Sequence, residues 1–131
     1  MAFAETIPQR SARLLPLTVA FDHRAADAFG AKSLPALTKL YAELGAQASA
    51  IEAARKSGQD ACGCDVALTN LRIIVGFAVN KLDGAGRYQA WMRADSVRLQ
   101  AEYASFVADC AADAGASASP VRLQVKLVKG L

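Results

Sequence analysis

At 131 residues, with 53% hydrophobic and 21% charged side chains, the chain is long enough for one core and too apolar for intrinsic disorder. Its formal net charge of +3 comes from 15 basic and 12 acidic residues that are dispersed, the longest basic run being Arg55–Lys56. That excludes the concentrated basic stripe of a typical nucleic-acid binder, and it permits an acidic partner without arguing for one.

The longest apolar region, Val66 to Val79, is interrupted by Asn70 and Arg72 and falls short of the roughly 20 residues of a membrane span. Leu14 to Phe21, behind Arg10 and Arg13, imitates the core of a secretion signal but is only about eight residues long. Three cysteines are an odd number, unsuited to a secreted disulfide framework, and Cys62 and Cys64 are too close in sequence to bridge easily. Reduced thiols, a cytoplasmic setting and no membrane association are the expectation.

The chain reads as a single domain, 1–131, opened by an irregular arm over 1–11. Leu15, Leu17, Val19 and Phe21 alternate with Pro16, Thr18, Ala20 and Asp22, a period of two that predicts an edge strand. Asp22 is placed to cap a short helix from about Arg24 to Gly30. Ser33 caps the next helix, with Pro35 in its first turn. Leu34, Leu37, Leu40, Tyr41, Leu44, Ala48 and Ile51 form its apolar stripe, and Arg55, Lys56 and Gly58 mark its end. A loop over 59–64 leads to Asp65 as cap of a third helix through Leu82, the most buried element. The β-branched run Ile73, Ile74, Val75 keeps a strand over Leu71–Val79 as its competitor.

The fourth helix carries Tyr88, Trp91, Met92, Asp95, Leu99, Tyr103, Phe106, Val107 and Cys110 on one seam. A small-residue linker over 114–120 follows. Val121, Leu123, Val125 and Leu127 then alternate with Arg122, Gln124, Lys126 and Val128 as a terminal strand. Unpaired strands must find neighbours. The fold expected is therefore α+β: about four helices, with a small sheet joining the N- and C-terminal strands.

The most distinctive local feature is Cys62-Gly63-Cys64, just ahead of a helix N-terminus where the dipole and free amides favour thiolates. With Cys110 and the single histidine, His23, these cysteines make the donor count of a closed tetrahedral zinc site, although Cys-x-Cys is not the usual knuckle spacing. No cofactor is therefore expected, zinc being the alternative. Arg87, Arg93 and Arg98 with Arg122 and Lys126 form a second candidate set, a cationic binding surface. It lacks interleaved aromatics, and nucleic acid is not the expected partner. Phosphate-loop, Gly-x-Ser-x-Gly and His-Glu-x-x-His patterns are missing.

A non-enzymatic protein-binding domain is thus expected, an adaptor or regulator acting through a helix face or strand edge as a homodimer. The alternatives are a small metal- or thiol-dependent protein built on Cys62 and Cys64, and a nucleic-acid-binding regulator.

Overall fold

The computed structural model of the chain describes residues 4–84 and 86–116. Four helices, α1 (Ile7–Gly30), α2 (Leu34–Lys56), α3 (Gly63–Asp83) and α4 (Ala90–Asp113), follow one another with no strand among the described residues. The fold is all-α, which corrects the expected α+β class and its small sheet. The terminal strand expected over Val121–Val128, and most of the linker before it, lie outside the described residues.

The N-terminal strand is replaced by the middle of α1. Thr6 caps that helix in a reciprocal box with Gln9, so the segment read as an arm already contains a helix start. Along α1 the buried positions are Arg10, Ser11, Leu14, Thr18, Phe21, Asp22, Ala25, Ala26 and Ala28, a helical spacing. Several of these are polar, so a reading of hydrophobicity alone registers the alternating Leu15, Leu17, Val19 and Phe21 instead. Pro16 stands inside the helix on its exposed side. The acceptor left without its helical donor is the carbonyl of Ala12, an exposed residue on the solvent side of the helix, where the loss costs least. Asp22, expected as a helix cap, is instead buried mid-helix and accepts a 2.9 Å hydrogen bond from the Tyr103 hydroxyl of α4. Burial foremost, then the Asp22 charge, pushes the Tyr103 pKa far above its ordinary value.

The other three helices lie where the sequence places them, with two corrections at their starts: α3 begins at Gly63 with Cys62 rather than Asp65 at its cap, and α4 begins at Ala90, leaving Tyr88 before the helix. The Ser33 hydroxyl accepts from the Ala36 amide, and α2 ends at Lys56. Leu71–Val79 is helical, and α3 closes on Gly84 in the left-handed conformation at φ 68°. α4 runs to Asp113.

Short connections set neighbouring helices antiparallel. Arg10 of α1 meets Asp65 of α3, and Cys110 of α4 joins Cys64 of α3, so the starts of α1 and α3 share one end of the bundle with the finish of α4. At the far end the Phe77 ring of α3 meets Trp91 of α4 edge-on. Leu37, Leu40, Leu44, Leu68, Leu71, Ile74, Val75 and Val107 fill the centre, and the small buried residues Ala25, Ala26, Ala67 and Ala78 let the backbones close in around them. By length and composition α3 alone is apolar enough to cross a membrane among the described residues, yet 56% of its most apolar 18-residue window is buried in the bundle.

Candidate functional site

The end of the bundle where α1 and α3 begin gathers all three cysteines of the chain. Their sulfur atoms lie within 4.8 Å of one another and all three residues are buried. Cys64, in the first turn of α3, and Cys110, in the last turn of α4, are joined as a disulfide, and Cys62 is a free thiol at the cap of α3. The expectation of three reduced thiols is corrected for two of them. The neighbours in sequence, Cys62 and Cys64, are not the pair that bridges. Residues 46 apart are joined instead, which spacing alone does not reveal.

Gly63 makes the approach of α3 and α4 possible here. A Cβ at this position would sit 2.3 Å from the Phe106 carbonyl oxygen and 3.0 Å from the Cys110 amide nitrogen, both backbone atoms. No other residue type lets the first turn of α3 lie so close to α4.

Beneath the sulfurs runs a buried ion pair. Arg10 is 6% exposed and Asp65 2%. The Arg10 guanidinium donates from Nε to Asp65 Oδ2 at 2.8 Å and from Nη2 to Oδ1 at 2.7 Å, a bidentate fork. Asp65 Oδ2 also accepts from the Cys62 backbone N–H at 2.7 Å, which ties the cap of α3 to the pair. Burial opposes ionisation of Asp65, but the Arg10 hydrogen bonds and the Cys62 amide outweigh it and hold the carboxyl below its ordinary range. Glu5 receives Arg10 and Arg13, and its backbone exchanges two hydrogen bonds of 2.9 Å with the Gln59 side chain, closing this end of the molecule.

Burial is the largest influence on the Cys62 thiol and pushes its pKa up. The Asp65 amide, the Ser11 hydroxyl and the Cys64 amide pull the other way without overcoming it, while the Asp65 carboxylate reinforces the rise. The lowering expected from the helix N-terminus is therefore present but outweighed. The Ser11 hydroxyl is fully buried and has no complete hydrogen bond of its own. Cys110 Sγ lies 3.7 Å from the Ser11 carbonyl oxygen.

Above the sulfurs opens a cleft of about 390 Å³, lined by Cys62, Gly63, Val66, Phe106, Asp109 and Asp113 among others. Cys62 is the one cysteine among its lining residues, and it is 2% exposed.

His23 takes no part in the sulfur cluster. It sits on α1 twelve residues beyond Ser11, about 18 Å along the helix axis. Its Nε2 is buried without a partner. The four donors of the zinc reading thus do not converge, although three of them do. Of the candidate cationic surface, Arg87 pairs with Asp83 at 3.2 Å and Arg98 with Glu102 at 3.1 Å. Arg93 is exposed on α4, whereas Arg122 and Lys126 lie outside the described residues. Asp95, on the seam of α4, pairs with Arg98 at 3.6 Å and is 44% exposed, a surface carboxylate.

The Arg10–Asp65 fork escaped the sequence reading because Arg10 fell in the segment taken as an arm. The Thr6-x-x-Gln9 pattern, with Pro8 inside it, is the signal that a helix begins there. What fold and site together define is an all-α four-helix bundle with a buried three-sulfur centre, one thiol beside one disulfide, at one end. No protein-family model, no curated protein and no solved structure matches the chain.

Proposed function

We propose that this is a thiol–disulfide redox protein in which Cys62 relays exchange between the cleft and the Cys64–Cys110 couple. The convergence of three sulfurs within 4.8 Å carries this reading, since a purely structural staple needs only two. In the reduced chain, the Cys62 thiolate attacks a small disulfide in the cleft, forms a mixed disulfide and releases one small thiol. Cys110 then attacks the Cys62 sulfur and expels the second small thiol. Cys64 in turn attacks Cys110, closing the Cys64–Cys110 bond and returning Cys62 as a thiol. Two electrons pass to the external disulfide, and the two protons released by the protein leave on the two small thiols. The Cys64 sulfur lies in the first turn of α3, where free amides stabilise it as the leaving group when the relay runs backwards.

Cytoplasm is the proposed setting, because disulfides there are transient and redox-sensing. The elevated Cys62 pKa keeps the relay slow at neutral pH and accelerates it as pH rises. Stopped-flow exchange with a small uncharged disulfide, bis(2-hydroxyethyl) disulfide, tests the scheme. Cys62→Ser keeps the bridging pair but slows its formation roughly tenfold or more. An unchanged rate overturns the relay.

One observation favours a second reading, protein binding through a helix face with a homodimer as the simplest assembly. At the far end of the bundle Trp91 is 58% and Ile73 41% exposed. Tyr41, Ile73 and Phe77 line one groove, and Trp91 stands against Phe77. Strand addition by the N-terminal segment is no longer a route to association, because that segment is helical. A monomeric mass by light scattering at tens of micromolar would remove the homodimer.

A further inference from the structure

We infer that, once the Cys64–Cys110 bond is reduced, the three sulfurs form a trigonal binding site for a neutral trivalent metalloid hydroxide such as arsenite. The site goes beyond the exchange relay, and it is tested on fully reduced protein, so its failure would leave the relay standing.

Three features select this ligand class. The first is donor number. Three buried sulfurs lie within 4.8 Å of one another and no imidazole joins them. Three bonds of about 2.3 Å to a pyramidal centre, whose lone pair holds the angles near about 100°, place sulfurs about 3.5 Å apart, so the Cys64 and Cys110 sulfurs must move apart on reduction while Cys62 already lies within reach. Zinc would want a fourth donor, and His23 lies about 18 Å along α1 from Ser11.

The second feature is charge. Zinc on three thiolates leaves a net negative charge in a buried site whose neighbouring cation, Arg10, is already matched by Asp65. Arsenite avoids this. In As(OH)3 + 3 RSH → As(SR)3 + 3 H2O, three As–O and three S–H bonds break and three As–S bonds form. The three thiol protons leave in the water molecules and arsenic stays trivalent. A neutral molecule enters and a neutral complex remains, so no charge is buried.

The third feature is access. The cleft over Cys62 carries Asp109 and Asp113 on its wall, which discourages anions and admits a small uncharged hydroxide. The buried Ser11 hydroxyl lies beside the Cys62 sulfur and lacks a complete hydrogen bond, so it can donate to a coordinated sulfur.

The test uses the full chain reduced with a phosphine, which reacts with the disulfide and water to give two thiols and a phosphine oxide. Arsenite is titrated in, and native mass spectrometry reads the stoichiometry. One arsenic atom per chain is expected, with all three cysteines protected from alkylation. Cys62→Ser, Cys64→Ser or Cys110→Ser each weaken binding roughly 100-fold by removing the third attachment, whereas His23→Ala leaves it unchanged. Circular dichroism confirms that each variant remains helical. Protection of only two cysteines in the parent chain, or an affinity unaffected by Cys62→Ser, overturns the inference, as does any failure to bind stoichiometrically.

Discussion

The two ends of the bundle are built on different principles. Where α1 and α3 begin, a covalent bond, a forked ion pair and a backbone-to-backbone contact at Gly63 fix the helices to one another. Where α3 ends and α4 begins, contact rests on aromatic edges: Phe77 against Trp91 at 6.2 Å between centroids, and a Tyr88 hydroxyl buried without a partner. Directional interactions make the cysteine end specific, and each becomes costly when half of it is removed. Exposed rings at the other end make that surface tolerant, and available to a partner.

Breaking the cysteine end shows the largest effect at Arg10. Arg10→Met leaves Asp65 ionised and buried without its guanidinium, an expected loss of about 3–5 kcal/mol in urea denaturation. Arg10→Met with Asp65→Leu recovers a large part of it. Because Asp65 is held below its ordinary range, its contribution is complete above about pH 4 and is lost as pH falls through the depressed folded value. Acid titration of parent and double variant should diverge in that interval.

Opening the disulfide ranks next. The bridge spans 46 residues, and its removal by reductant or Cys110→Ser should cost about 2–4 kcal/mol, read as a lower denaturation midpoint. Gly63→Ala follows. The backbone oxygen of Phe106 cannot swing aside as a side-chain tip could, so α3 and α4 must separate at an expected cost of about 1–3 kcal/mol. The same variant should slow closure of the Cys64–Cys110 bond, which separates a packing role from a merely local one.

At the other end, Trp91→Ala sharpens the contrast by doing little. An exposed ring in one edge-on contact is worth about 0.5–1.5 kcal/mol. If the groove beside it mates two copies, the variant lowers the assembled mass while barely moving the midpoint.

Legibility in the sequence followed the same division. α2 and α3 bury leucines, isoleucine and valine at helical spacing, and Ser33, Lys56 and Gly84 marked boundaries within a residue or so, whereas the cap of α3 is Cys62, three residues ahead of the expected Asp65. α1 buries Arg10, Ser11, Thr18 and Asp22 together with its apolar residues, so its period is invisible to hydropathy and the alternation over 15–21 misled. On α4 the seam was half right: Leu99, Tyr103, Val107 and Cys110 are buried, but Trp91 is not, and Ser96 and Gln100 take up core positions in its place. The cysteines were visible as candidates, whereas their meeting depends on how α3 passes α4, a tertiary fact carried by one glycine.

The sulfur bridge also divides the chain topologically. It encloses the 46-residue interval from Cys64 to Cys110, including the turn between α3 and α4, in a covalent ring, and leaves α1 and α2 outside it. A protease that nicks the turn after Asp83 therefore yields two pieces still held together when the bond is closed, and two separate pieces when it is open. The oxidation state of a buried pair of sulfurs then becomes readable as the difference between one band and two on a gel.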